Sequence, residues 1–485
     1  MYIVALGLSV LTFLAVVAWY WRSPAFSLFH PLTFYIAFHG LLFVVRPIFA
    51  YIYNYQGLYY AYEFNPSESD KLTVIYAANL GFVVFSAFCL RAGSVPMIFK
   101  STPAVAEERR RLSQIFVWVI AICGPLAAWS LAKSYAPPTL STEMVMDGAT
   151  GVFINTGSNG YVTDLQLMAV SMSALVIWLG RFRPITFLPL LAFVVFRAGT
   201  GGRGPFIAAL VTVALFYLYE KRLRYPAFRI VLAGVAGIIM FNAVGADRGQ
   251  AIRVAVGLEE PSIYEDSDNN RNGPLESMDF GNKEFFEYLV YAIPQRTGTY
   301  GYFLNNFQVF TEPVPRAIWS GKPVGEPFRR FYLFDYGYPI GMTRSLPGEG
   351  WYSLGWLGVI IWCGLWGHLL GVIYRRFVES EQNTFQTVFF IIFVPTLIVA
   401  FRDGTLITLA KQTGAYFAPV FVWWILAKYM GVPRARELAA ASLQRAGNVL
   451  RRPSAPPASA APLPAAVRRR REALARNGPH DPVAE

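Results

Sequence analysis

The chain is poor in charge, cysteine and histidine, and each scarcity excludes something. Of its 485 residues only 15% are Asp, Glu, Lys or Arg, while 55% are hydrophobic. Charge this sparse, gathered between long apolar runs, excludes an ordinary soluble domain, which does not carry repeated uncharged runs of about 18 residues or more. Cys89, Cys123 and Cys363 each fall inside an apolar run. They are too few and too scattered for a disulfide framework or a zinc site. His30, His39, His368 and His480 show no metal-ligand spacing. Asp266-Ser267-Asp268 has the form of a D-x-D divalent-ion motif, but it stands in EEPSIYEDSDNNRNG, a solvated acidic turn whose glycine comes too late for a calcium loop. No metal or cofactor is therefore expected. The net charge of +12 does not point to nucleic acid, because much of it lies in short loops and in the C-terminal tail. The first residues, MYIVALGLSVLTFLAVVAWYW, lack a basic n-region and a small-x-small cleavage site, and read as a retained span.

What is present is a series of apolar runs at 2–21, 31–53, 72–90, 113–132, 161–180, 184–198, 205–219, 226–244, 351–374, 385–401 and 406–428. They predict an all-α polytopic integral membrane protein of about eleven transmembrane helices. Positive charge orients them. Arg22, Arg91, Lys100, Arg109 to Arg111, Arg181, Arg183, Lys221, Arg222, Arg224, Arg375 and Arg376 all fall on one side if the N-terminus is outside and the C-terminus inside. Four regions follow: helices one to eight over 1–244, a large external loop over 245–348, helices nine to eleven over 349–430, and a disordered basic tail over 431–485. The tail, rich in Ala, Pro and Arg, is expected to be drawn to anionic lipid. Within the large loop, EFFEYLVYAIPQRTGTYGYFLNNFQVF has helical spacing broken by Pro294 and Arg296. Two short interfacial helices are expected there, and their aromatic faces suit carbohydrate as well as a membrane interface.

Three constellations carry candidate chemistry. Arg197-Ala-Gly-Thr-Gly-Gly-Arg203-Gly-Pro205 joins spans six and seven, with Pro205 opening a helix whose preceding glycine backbone offers free N–H groups to an anion. Its plain alternative is a tight turn whose arginines reach lipid phosphate. Arg316, Lys322 and Arg344 are fixed cations suited to a diphosphate, and Glu349 follows them just before the helix predicted from 351. A carboxylate there can accept a proton from a sugar hydroxyl, or can merely cap the helix or pair with Arg344. Arg402-Asp403-Gly404-Thr405 opens the last span, with Lys411 about two turns inside. Asp403 is the second candidate base. Lys411, Arg46 and Arg248, charged groups in or beside spans, need partners and are secondary candidates together with Arg197. Spans seven, nine and eleven would all present their positive dipole ends outward, each beside an arginine: Arg203, Arg344 and Arg402.

TGGRGPF at 200–206, PVPRAIWSGKP at 313–323, PGEGWYSLGWLGVIIWCGLWG at 347–367 and FRDGT at 401–405 occur in this order. In these pieces the chain resembles the Wzy-type O-antigen and exopolysaccharide polymerases, the oligosaccharide repeat unit polymerases. The likeness covers roughly residues 196–428. It implies a GT-C-like, metal-independent membrane glycosyltransferase of the bacterial inner membrane. The implied reaction moves a growing glycan from undecaprenyl pyrophosphate onto a second lipid-linked repeat at the periplasmic face. The implied partners are flippase and chain-length-control proteins. The residues themselves suit an anionic leaving group stabilised without metal, with Arg203, Arg316 and Arg344 on the diphosphate, Arg402 or Lys322 assisting, and Glu349 as first candidate base. Rival expectations are an O-antigen ligase or other GT-C transferase, and a flippase for lipid-linked oligosaccharide.

Overall fold

Every apolar run that the described residues cover becomes a helix. The computed structural model describes residues 1–133, 144–146, 153–155, 164–198, 204–228, 275–276, 280–314, 318–319, 328–337, 343–451, 467, 469 and 472. The run at 226–244 lies almost wholly outside them, as do Arg203, Arg248, Arg316 and Lys322. In chain order the main elements are α1 (Tyr2–Trp21), α2 (Pro31–Ile52), α3 (Glu68–Gly93), α4 (Pro103–Lys133), α5 (Leu165–Leu179), α6 (Leu188–Ala198) and α7 (Gly204–Glu220). After the large loop begins come α8 (Asn282–Ala292), α9 (Leu346–Glu379), α10 (Thr384–Asp403) and α11 (Leu406–Tyr429). A two-stranded antiparallel hairpin, Met144–Met146 with Phe153–Asn155, is a small departure from the all-helical expectation.

Six of these helices, α1, α2, α3, α4, α9 and α10, are long and apolar enough to cross a bilayer. Together they make the helix set of a multi-pass membrane protein. Their ends follow local rules. Ser67 and Asp70 form a capping box at the start of α3, and Asn383 and Gln386 form another at α10. His30 caps α2, which opens on Pro31 and contains one π-helical stretch, Gly40–Val45, just before Arg46.

The chain divides after Val432 into two units. In the first, α3 and α9 pack most closely, backbone against backbone. A methyl group on Gly371 would sit 2.5 Å from the Cys89 carbonyl oxygen, and one on Gly93 would sit 2.8 Å from the Gly371 oxygen. Small residues permit this approach, which is how membrane helices gain contact where lipid offers no hydrophobic drive. Around this pair, α1, α2, α8 and the end of α10 build one core, including Tyr35, Phe82, Phe85 and Phe401. A second core joins α4, α5, α7 and α11 to the start of α10. α10 thus belongs to both. Large apolar side chains such as Leu11, Val117, Trp118, Leu357 and Phe421 remain exposed on the outer faces of the helices, as a hydrocarbon solvent requires.

Three expectations need correction. The basic tail is not disordered from its start: the second unit contains a 17-residue helix, α12 (Ala435–Arg451), which begins with Glu437 accepting the Arg434 N–H. The run from 351 does not begin its helix there, because Ser345 caps it and Pro347 opens it, so α9 starts at Leu346 and Glu349 lies in its first turn. The helix expected at the interface near 280–292 is α8, and it is enclosed instead: Asn282 through Val290 and Ala292 are all buried against α3 and α9.

Candidate functional site

The sequence LPGEGWYSLGWLG cannot run as one straight helix. Leu354 and Gly355 leave helical geometry, with Gly355 at φ 59°, so α9 is a short helix of about two turns followed by a long one. The two meet where Gly350 faces Gly358, and a methyl group on Gly358 would overlap the Gly350 carbonyl oxygen. The chain at 301–302 is laid across the break, with Gly301 N–H donating to Tyr352 O at 2.8 Å and Tyr302 N–H to Ser353 O at 2.9 Å. The segment that follows, Tyr302 to Asn306, is thereby delivered to the mouth of α9.

Glu349 is the centre of the arrangement, and it is wholly buried. Its Oε1 accepts from Asn305 Nδ2 at 2.6 Å and from Asn306 Nδ2 at 2.9 Å. Its Oε2 accepts from Arg344 Nη1 at 3.1 Å, and the Arg344 guanidinium stands 4.0 Å from the centroid of the Tyr352 ring. A planar guanidinium held between a carboxylate and an aromatic face loses little further freedom on binding a second anion. Asn306 also reaches α11, accepting the Leu406 N–H at 3.0 Å.

The turn between α10 and α11 closes the site from the other side. Ser345 N–H donates to Arg402 O at 2.8 Å, and Asn282 at the start of α8 donates to the same oxygen at 2.9 Å and to Thr343 Oγ1 at 3.0 Å. Gly404 packs against Ser345 and Glu349 and accepts from Trp362 Nε1 at 3.0 Å. Asp403, partly exposed, lies within electrostatic range of Arg402 and Arg344. Backbone strain gathers here as well. Tyr302, Phe303 and Ser345 have φ of 52°, 59° and 64°, conformations that bulky side chains adopt only where the surroundings impose them.

Of the residues singled out in the sequence, Arg344, Glu349, Arg402 and Asp403 therefore come together. Glu349 takes one of the alternatives its position left open, the pairing with Arg344, and is wholly buried beside Asn305 and Asn306. Arg46 and Lys411 have partners elsewhere. Arg46, fully buried, pairs with Glu284 of α8 at 2.9 Å and donates to Leu275 O. Lys411 pairs with Glu312 at 2.6 Å. Arg197 falls in the last turn of α6, its side chain outside the described residues.

Sequence reasoning missed Asn305, Asn306 and Asn282, since a neutral amide in a loop carries no signal of burial. It also missed the charges of α8. Lys283 and Glu287 are both buried and pair at 2.6 Å, with Tyr59 donating to Glu287 at 2.6 Å. Burial pushes the Glu287 carboxyl above its usual range, against the pull of Lys283. The signal was there in NKEFFEYLVYA: acids and a lysine spaced three and four apart beside an arginine, Arg46, that needed an acid.

No protein-family model, curated protein or solved structure matches the chain. The functional reading rests on the residues.

Proposed function

We propose that the protein is a membrane glycosyltransferase that polymerises lipid-linked oligosaccharide repeat units, of the kind the sequence motifs resemble. The observation that carries this reading is the pairing of half-buried Arg344 with buried Glu349 at the N-terminal end of a membrane-spanning helix. Such a helix end carries partial positive charge, and a guanidinium beside it suits the diphosphate of a lipid carrier. In this reading the helices number eleven, with the N-terminus outside and the C-terminus inside. The site then faces the periplasm from the bacterial inner membrane, where flippase and chain-length-control proteins would serve it. In this reading Arg203, Arg316 and Lys322, all outside the described residues, are the further cations assigned to the diphosphate, with Arg402 assisting.

The transfer forms a bond between the acceptor sugar's hydroxyl oxygen and C1 of the donor glycan. The C1–O bond to the diphosphate breaks, and the diphosphate leaves with the electron pair, stabilised by the arginines. The hydroxyl proton needs an acceptor. Because Glu349 is buried and already engaged by three donors, its role in this reading is to hold Arg344, and Asp403 takes the proton.

The experiment is reconstitution of the full chain in vesicles with an undecaprenyl-pyrophosphate-linked repeat. A ladder of lengthening products supports the polymerase. Transfer of finished glycan to another acceptor without a ladder would mean a ligase, and translocation without new bonds would mean a flippase.

A further inference from the structure

At the far end of α9 from Glu349, a groove of about 420 Å³ lies between the last turns of α9, the first half of α10 and Phe417 of α11. Phe377, Phe389, Phe393 and Phe417 form its walls, with Phe377 stacked on Phe390 at 4.0 Å and Phe389 on Phe417 at 5.3 Å. The volume falls in the range that holds a small-molecule ligand. Beside it Phe421, whose ring is 5.5 Å from that of Phe389, is exposed on the outer face of α11, so the apolar part opens toward the hydrocarbon side of the bundle.

Polar groups stand only at one end, where Arg376, Ser380 and Gln386 line the groove. The cations at this end are not equivalent. Lys100 Nζ donates to Glu379 O at 2.9 Å and Ser380 O at 2.6 Å, and so satisfies the C-terminal carbonyls of α9. Arg375 pairs with Glu379 at 2.7 Å. Arg376, exposed, has no acid within ion-pair distance among the described residues. With the helix end already served by Lys100 and Glu379 paired with Arg375, Arg376 is directed to an anion from outside the chain.

We propose that this groove is a binding site for an anionic phospholipid of the surrounding bilayer, with one acyl chain among the phenylalanines and the headgroup phosphate on Arg376. An amphiphile with an apolar body and one negative end matches the groove's long apolar wall and single polar end. The site is separate from the proposed diphosphate site, which lies at the opposite end of α9, and the inference does not depend on the glycosyltransferase reading.

The test is native mass spectrometry of the full chain released from detergent after exchange into phosphatidylglycerol, phosphatidylcholine or inorganic phosphate. The expected result is one phosphatidylglycerol retained per chain, in preference to phosphatidylcholine. Arg376→Glu is expected to lower its retention about tenfold, the effect of reversing one charge next to a lipid headgroup. Arg375→Glu, the same charge change one residue away, is expected to leave retention close to wild type and to show that a mutant of this helix end folds. Equal loss in both variants, equal retention of phosphatidylcholine, or displacement of the lipid by inorganic phosphate would each overturn the proposal.

Discussion

Asn306 ties Glu349 to the start of α11. Its Nδ2 donates to the Glu349 carboxylate at 2.9 Å while its Oδ1 accepts the Leu406 N–H at 3.0 Å. One side chain thus serves a buried acid and one of the backbone donors that every helix start leaves without an intrahelical partner. Asn306→Ala deprives both of this bond and is expected to cost about 1–3 kcal/mol, the usual penalty for a buried polar group that loses its partner. Asn306→Asp is expected to cost more, since it sets a second carboxylate against the first. Thermal unfolding of the purified variants checks the order. Melting of both at the wild-type temperature would show that the amide is not part of the site's support.

The break in α9 makes a second prediction. Gly358 faces the Gly350 carbonyl so closely that no side chain fits, whereas a methyl group on Gly414 of α11 would meet nothing within 4 Å. Gly358→Ala is expected to separate the short helix from the long one and to abolish product formation and normal elution on size exclusion. Gly414→Ala is expected to be neutral or to stabilise by up to about 1 kcal/mol, since alanine favours the helix over glycine. A Gly358→Ala protein that elutes and works as wild type would contradict the packing described.

Much of this was legible in the sequence and some was not, for physical reasons. Helices such as α1, α3 and α10 follow from uncharged runs, because a bilayer demands continuous apolar length. The start of α9 was misplaced by five residues, from 351 to Leu346, because hydropathy reports where apolar side chains begin, while Ser345 and Pro347 report where the helix begins. The burial of α8 was hidden because Lys283, Glu284 and Glu287 look like a solvated face, and only the arrival of Arg46 and Tyr59 from distant parts of the chain makes them core. Arg344 and Glu349 were legible as a pair. The amides that hold Glu349 were not, since Asn305 and Asn306 are long-range partners set in place by the strained turn at Tyr302 and Phe303.

A third prediction concerns acid. His30, between α1 and α2, is fully buried, accepts the Leu32 N–H on Nδ1 at 3.2 Å and packs edge-on against Tyr374 at 4.5 Å. Burial pulls its imidazole from 6.5 down to about 3. The folded protein therefore keeps it neutral where the unfolded chain protonates it. Its contribution is full above the unfolded value and falls as pH drops from about 6.5 toward 3, at about 1.4 kcal/mol per pH unit. His30→Asn keeps a capping acceptor but removes the titration. Melting temperatures of wild type and variant are expected to change differently between pH 7.5 and pH 5, the wild type losing more. Parallel changes would contradict the assignment.

The central claim is that Arg344, held by Glu349, stabilises the leaving diphosphate. The measurement that tests it most directly is the initial rate of glycan ladder formation by Arg344→Ala in vesicles supplied with the lipid-linked repeat, with insertion and melting checked against wild type. A fall of about 10²–10³, the usual consequence of removing one preorganised donor from a developing negative charge, is predicted. A well-folded Arg344→Ala protein that builds its ladder at the wild-type rate would contradict the account.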